Sequence, residues 1–350
     1  MNGRVDPATP VKKREIFGWC CFDFANSAFT TVIITVVFSV YFHDVVAGGR
    51  SEASTWWSAA VAVSQIIVIL LSPLVGAMAD LKARKKRYLM VTAIVCSVAT
   101  ASLFFVGAGQ IVPALLLVMV ANTAFSFSEN ISAGFLPEIS TPETAGKISG
   151  YGWSFGYIGG LVSLVLALAI FKSGEGRATW TFLMTGIFFM AASVPTLTLL
   201  RERAIPRTLP AGERLWQVAW KENFGSLKGL KAERTLAMFF LSLLFFTAGL
   251  SAVVNFAAVF ATKVLGMAQT EILGLFVVLQ IAGVAGAYGF GFIQDRKGPK
   301  LALSLSLLLW VVVCVWGGLC QTKMEFYGIG VIAGIARGSL QSDGRAVVSP

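Results

Sequence analysis

Charged residues are scarce in this 350-residue chain. They make up 13% of the sequence, about half the share found in ordinary soluble domains. Hydrophobic residues reach 56%, and the mean hydropathy is +0.76. This composition excludes a soluble globular protein and indicates one that lies largely in a lipid bilayer.

Residues typical of metal sites and catalytic centres are also few. The chain has one histidine, His43, and five cysteines without metal-ligand spacing. It contains no histidine pair, phosphate-binding loop or nucleophile elbow. We therefore predict no metal, no cofactor and no enzymatic activity. The cysteines are predicted to be small buried hydrophobic residues at Cys20, Cys21, Cys96, Cys314 and Cys320.

Long apolar runs recur along the whole chain. Each is long enough to cross a hydrocarbon core of about 30 Å as a helix, and too long for a barrel strand. We predict an all-α, polytopic membrane helix bundle with ten transmembrane spans. They are 17–42, 57–79, 88–107, 111–130, 149–171, 178–199, 236–262, 271–293, 301–320 and 326–341.

Lysine and arginine collect on one side of the predicted membrane. With a cytoplasmic N-terminus, 23 of these 28 residues face the cytoplasm and 5 face the other side. This split follows the positive-inside rule and predicts a cytoplasmic N-terminus. The basic loops are expected to face anionic lipid, so the bilayer is a partner and nucleic acid is not.

A Gly-x-x-x-Asp motif followed by basic residues occurs twice, in "GAMADLKARKKR" and "GFIQDRKGPK". The two aspartates are 215 residues apart. The spacing predicts two related halves, the second about two helices shorter than the first. The motifs supply Gly76, Asp80, Arg84, Gly291, Asp295 and Arg296.

These features divide the chain into three parts. Residues 1–200 are predicted to form a six-helix N-terminal half, and 236–350 an incomplete C-terminal half with helices 7–10. Between them lies a cytoplasmic linker, 201–235. Its Trp216, Trp220, Phe224 and Leu227 follow a helical apolar period. This amphipathic helix either lies on the membrane surface or packs beneath the bundle.

Polar residues at helical spacing form stripes on several apolar spans. Spans 1, 4, 7 and 10 carry such stripes and hold equivalent places in the three-helix subrepeats of the two halves. Polar groups at membrane depth typically mark a functional site, so these stripes are candidates for a pathway of substrate or protons. The candidate pathway residues are Asp23, Asn26, Thr30, Asn122, Ser126, Glu129, Asn255 and Arg337.

The charged members of these stripes have alternative interpretations. Asp23 is either a cavity carboxylate that binds substrate or a proton, or the N-cap of a helix that starts at Phe24. Glu129 either belongs to a proton relay or forms a local ion pair, for instance with Lys147. Arg337 either pairs with a carboxylate, of substrate or protein, or extends from a helix end toward the interface.

The second motif closely matches the G-x-x-x-D-R-x-G-x-K signature of the major facilitator superfamily. "FDFANSAF" in span 1, "FLPEI" after span 4 and "ISGYGWSFGYIGG" opening span 5 resemble one branch of it. That branch comprises the autophagy-associated vacuolar amino-acid effluxers and bacterial relatives long described as unknown major facilitators. Gly152, Gly156 and Gly160 within the last stretch also predict a close-packing helix face.

The resemblance implies a secondary transporter that moves a small polar solute, such as an amino acid, by alternating access. Protons are a candidate co-substrate. It also implies a gate latch, in which Asp295 binds the start of helix 5 near Ile148–Gly150. Asp80 would bind helix 11, one of the last two of twelve helices, which are expected to be missing from this chain. The expected location is the plasma (inner) membrane of a bacterium or the vacuolar membrane of a eukaryote. The alternatives are a non-transporting sensor or scaffold and an inactive truncated transporter.

Overall fold

The computed structural model describes residues 10–81, 83–172, 177–203, 264–267 and 269–348, with isolated positions at 217 and between 237 and 261. Within these ranges, side chains are described except at 80–81, 172, 269–270, 273 and 343–348. The predicted linker helix at 216–227 and most of the seventh span therefore lie outside the described residues.

The described chain is helical, and no strand occurs in it. Nine long helices follow one another within the described residues, with α7, α8 and α9 at the eighth, ninth and tenth predicted spans. Their bounds are α1 Lys13–Ala28, α2 Ala53–Leu81, α3 Lys85–Ser102, α4 Ile111–Ala133, α5 Ala145–Lys172, α6 Ala178–Leu199, α7 Gln269–Lys297, α8 Pro299–Leu319 and α9 Lys323–Val348.

The first span continues beyond α1 in a wider helical form. Two π-helical stretches, Phe29–Val36 and Phe42–Val46, flank a short α-helical turn. In the first, the Val37 N–H donates to the Val32 carbonyl oxygen at 2.9 Å, five residues back. This stretch is rich in β-branched residues, which crowd an ordinary α-helix, and π-helical turns often occur at functional sites.

Glycines allow α1 and α5 to pack closely. A methyl group on Gly159 would overlap the backbone of Phe24, and one on Gly156 would lie 3.0 Å from the Ser27 hydroxyl oxygen. In the same way, a methyl group on Gly150 would approach the Ala287 carbonyl of α7 at 2.5 Å. Helix α5 thus packs against α1 on one side and α7 on another, where large side chains would separate the helices.

Eight described helical segments are long and apolar enough to cross a membrane. The first runs from Lys13 to Val46, four residues longer at each end than predicted. The seventh predicted span lies mostly outside the described residues. The tenth falls within α9, which has 26 residues but is not among the eight segments. A count of ten membrane helices therefore stays a prediction.

Two hydrophobic clusters form the described interior. The first cluster lies within residues 19–200 and includes side chains from all six helices α1 through α6. The second lies within 261–336 and includes side chains from α7, α8 and α9. The division into halves and linker stays a prediction. One cysteine departs from expectation: Cys314 of α8 is exposed and borders an apolar cavity.

Candidate solute cavity and interhelical latch

A polar cavity lies between α1 with its π-helical extension, α5, α7 and α9. It encloses about 660 Å³, including its open mouth. Hydroxyl, amide, indole and guanidinium groups contribute to its wall, together with a few apolar side chains. Its polar and aromatic lining residues are Ser27, Thr30, Thr31, Thr35, Trp153, Tyr157, Phe276, Gln280, Arg337 and Gln341.

Of the predicted pathway residues, Thr30 and Arg337 line this cavity. Arg337 is exposed within the bundle, and no ion pair joins it to a described carboxylate. One helical turn further along α9, Gln341 accepts a hydrogen bond from the Tyr157 hydroxyl at 2.5 Å. Arg337 therefore faces the cavity with its hydrogen-bond donors available.

Asp23 and Asn26 are buried, with 4% and 6% of their surfaces exposed. Since α1 begins at Lys13, Asp23 lies well inside the helix, and the N-cap interpretation is wrong. Its carboxylate lies against Gly152 of α5, where a methyl group would overlap it. Neither residue is among those lining the polar cavity.

The polar stripe on α4 faces α2. Asn122 Nδ2 donates to the Ser64 hydroxyl oxygen at 2.6 Å, and Gln65 Nε2 donates to that of Ser126 at 3.3 Å. Within the described structure, Asn122 and Ser126 thus hold two helices together. Glu129 is partly exposed on the same helix, and Asn255 lies outside the described residues.

Several cavity residues were absent from the predicted pathway. Tyr157 and Gln280 come from spans 5 and 8, and Thr31 and Thr35 belong to the π-helical stretch. In an ordinary α-helix these two threonines, four residues apart, share a face, but that face is turned about a third of a circle from the stripe of Asp23, Asn26 and Thr30. The predicted stripe along span 1 therefore did not include them. For Tyr157, the signal was available in the sequence, because it lies on the same helix as the glycine series at 152, 156 and 160.

Asp295, near the end of α7, binds the start of α5. Its Oδ1 accepts the Gly146 N–H and its Oδ2 accepts the Lys147 N–H, each at 2.9 Å. The first N–H groups of a helix lack intrahelical acceptors, and the helix dipole favours a negative charge beside them. The contact lies at 146–147, slightly before the expected 148–150.

Other groups reinforce this contact. A methyl group on Gly291 would lie 2.6 Å from the Gly146 carbonyl oxygen. The Lys147 ammonium lies 5.1 Å from the ring centre of Phe292 and 5.8 Å from that of Tyr151, within range of a cation–π interaction. Arg296 is exposed. Together these contacts hold α5 against α7 about two turns before the cavity.

The first copy of the motif has a different environment. Gly76 has open space around it, since a methyl group there would meet no atom within 4 Å. It borders a small cavity between α2 and α4 that also includes Lys85. Arg84 is exposed after α2. Asp80 lies in α2, with its side chain outside the described part of the structure.

A buried charged network lies at the end of the bundle where α1 begins. Arg203 pairs with Glu15 at 2.8 Å, with 4% and 1% of the two side chains exposed. Glu138 pairs with the Lys85 ammonium at 3.0 Å and accepts a hydrogen bond from the backbone N–H of Arg203 at 2.7 Å. The prediction missed Glu138, although it belongs to the "FLPEI" stretch. Beside this network, burial raises the pKa of Glu202 above its usual value.

Known proteins resemble this chain over most of its length. The family described as "Vacuole effluxer Atg22 like" matches residues 45–350. An "Uncharacterized MFS-type transporter YxiO" of Bacillus subtilis is 21% identical over 342 residues, covering 94% of this chain and 78% of the relative. The Aspergillus niger "Autophagy-related protein 22-1" is 27% identical over 223 residues, and the match spans 36% of its length.

Solved structures of the major facilitator superfamily share the fold. The proton:xylose symporter XylE has a TM-score of 0.63 at 14% identity, covering 95% of this chain and 85% of the symporter. A bacterial homologue of the iron transporter ferroportin, in an outward-facing state, has a TM-score of 0.66, also at 14% identity, with coverage of 96% and 84%. The chain is thus a multi-pass membrane protein that belongs to the Atg22-like vacuole effluxer family of the major facilitator superfamily.

Proposed function

We propose that this protein is a secondary active transporter that moves a small polar solute by alternating access. The observation that supports it best is a polar cavity inside an apolar bundle, beyond an interhelical contact that closes one end. Polar groups at membrane depth are costly and typically mark solute pathways. The cavity supplies a binding place, and the Asp295 contact supplies a joint that can open and close.

The positive-inside distribution favours a cytoplasmic position for the end where Asp295 meets α5. The residues assigned to the gate latch are then Asp295 and Gly291, which contact α5, the exposed Arg296, and their first-copy counterparts Gly76, Asp80 and Arg84. In this conformation the Asp295 latch is closed on the cytoplasmic side. Opening it exposes the first N–H groups of α5 to water, at a cost small enough for repeated cycles.

Amino acids are the first solutes to test, because the matching family is described as a vacuole effluxer and the sequence resembles its amino-acid-exporting branch. Protons are the proposed coupling ion, with Asp23 as the coupling group. Its carboxylate is buried inside α1, and an intramembrane carboxylate of this kind is a candidate proton carrier. The Ser27 hydroxyl, which donates to the Asp23 carbonyl at 3.0 Å, brings the same turn of α1 to the cavity wall.

Transport by purified protein in lipid vesicles tests this proposal. We expect saturable exchange of an internal amino-acid pool for external labelled amino acids, stimulated by a pH gradient. Asp23→Asn preserves size and removes the titratable proton, so it should abolish the pH stimulation while exchange at equal pH persists. Protein-free vesicles control for leakage.

Two outcomes would contradict the proposal. If correctly folded protein exchanges no amino acid or other small polar solute, the sensor or scaffold alternative gains support. If Asp23→Asn leaves pH stimulation unchanged, Asp23 has no role in coupling.

A further inference from the structure

Two walls of the polar cavity differ in their hydrogen-bonding character. Along the first span, three of the four hydroxyl groups that line the cavity already use their hydrogens within the helix. Ser27 Oγ donates to the Asp23 carbonyl at 3.0 Å, Thr30 Oγ1 to that of Ser27 at 3.1 Å, and Thr35 Oγ1 to that of Thr30 at 2.9 Å. A hydroxyl group has one hydrogen and two lone pairs. These three side chains therefore offer the cavity acceptor lone pairs.

The α9 wall offers donors. The Arg337 guanidinium has five N–H groups and no acceptor. Because Gln341 accepts the Tyr157 hydroxyl through Oε1, its remaining polar group is the Nε2 amide with two N–H donors. Arg337 and Gln341 are four residues apart, which places them on the same helix face.

The positive charge of Arg337 has no nearby negative counterpart in the chain as described. Helices α5 and α8 contain no Asp or Glu, and neither does the sequence from 234 to 270, which includes the seventh span. In α7 the carboxylates, Glu271 and Asp295, lie at the helix ends. In α9 itself, Glu325 lies in the first turn, and Asp343 follows Arg337 by six residues, with its side chain outside the described part of the structure. Asp23 lies against Gly152 rather than in the cavity lining. Arg337 lies in the cavity wall with no described carboxylate beside it, so a carboxylate arriving with the solute would gain charge-assisted hydrogen bonds there.

We propose that the cavity binds a small organic acid in one fixed orientation, with its carboxylate on Arg337 and a hydrogen-bond donor group on the hydroxyl oxygens of Ser27, Thr30 and Thr35. An ammonium or a hydroxyl group fits the second requirement, so amino acids and hydroxy acids form the ligand class. This proposal rests on the proposed transport function and specifies how its site selects a solute.

A matched series of three four-carbon acids, and the three-carbon amine that lacks only the carboxylate, tests the orientation. The probes are 2-aminobutyrate, 2-hydroxybutyrate, butyrate and propylamine. They carry carboxylate with ammonium, carboxylate with hydroxyl, carboxylate alone and ammonium alone. Binding to the full chain in detergent is measured by calorimetry and by ligand-induced thermal stabilisation. We expect the first two to bind, butyrate to bind several-fold more weakly, and propylamine to bind at least about tenfold more weakly, because a charge-assisted hydrogen bond is lost.

Variants assign the two ends of the solute. Arg337→Gln should weaken binding of both substituted acids at least about tenfold, whereas Arg337→Lys should restore part of it. Thr30→Val keeps the shape of the side chain and removes its oxygen, so it should reduce the preference for 2-aminobutyrate over butyrate. Thr92→Val is the matched control. The Thr92 hydroxyl makes the same kind of bond, to the Tyr88 carbonyl at 2.9 Å, on α3 and outside the cavity lining.

Each contrary result overturns a defined part. Equal binding of propylamine and 2-aminobutyrate, or full affinity in Arg337→Gln, overturns the carboxylate assignment. Butyrate binding as tightly as both substituted acids overturns the donor assignment, and the absence of binding by all four probes to folded protein overturns the ligand class. If vesicles still exchange other polar solutes in any of these cases, the transport function stands and the orientation alone is wrong.

Discussion

At the scale of single residues, Asp295 is the clearest case of a side chain whose place follows from helix physics. A carboxylate that accepts two N–H groups at a helix start is stabilised by hydrogen bonds and by the helix dipole. Asp295→Asn removes the charge and one of the two acceptor oxygens. The contact between α7 and α5 should weaken by about 0.3–2 kcal/mol, the range for charges beside helix ends.

The prediction is that Asp295→Asn opens this end of the bundle more often. In a background without native cysteines, Ser149→Cys reports on opening, since Ser149 is buried where α5 meets α9 and donates to the Ser342 carbonyl at 2.8 Å. Its labelling by a membrane-impermeant maleimide should accelerate several-fold in Asp295→Asn. Glu143→Gln is the control, because Glu143 is an exposed carboxylate just before α5. Equal labelling rates in both variants would rule out the latch.

At the scale of elements, the α5–α7 pair depends on glycine. A methyl group at Gly291 would lie 2.6 Å from the Gly146 carbonyl oxygen, whereas one at Gly289 of the same helix would meet no atom within 4 Å. Overpacking a tight contact costs about 1–3 kcal/mol. Alanine at these two positions therefore has opposite expected effects.

We predict that Gly291→Ala separates α5 from α7 and lowers the melting temperature in detergent, while Gly289→Ala preserves or slightly raises it. The second change gains helix propensity without a clash. Light-scattering detection of aggregation on heating provides the measurement. A melting temperature of Gly291→Ala equal to that of Gly289→Ala would show that the close approach is absent in the protein.

At the scale of the whole molecule, orientation in the membrane is the property to test. The division of basic residues between the two sides predicts a cytoplasmic N-terminus and a cytoplasmic α7–α8 turn, with the α1–α2 connection on the other side. Single cysteines at Ser51 and at Lys297 should therefore react from opposite sides of the cell membrane. Reaction of Lys297→Cys with an impermeant reagent added outside intact cells would invert the proposed orientation, and would place the Asp295 contact on the outer side.

The sequence by itself determined the class of molecule. Its scarcity of charge and its long apolar runs required membrane helices, and the repeated Gly-x-x-x-Asp motif identified Asp295. These conclusions are accessible because hydropathy and helix-end electrostatics act over a few residues, so a linear pattern records them. The α4 stripe was visible for the same reason, but its partner was not.

Only the tertiary structure decided which polar residues meet. It placed Asn122 and Ser126 against α2, Asp23 against Gly152, and Tyr157 and Gln280 in the cavity wall. A stripe on one helix shows that some face is polar but leaves the neighbouring helix undefined, because contacts such as Tyr157 to Gln341 join residues 184 positions apart. Thr31 and Thr35 also line the cavity, in the π-helical stretch after α1 where the chain departs from the 3.6-residue period on which the sequence pattern depends.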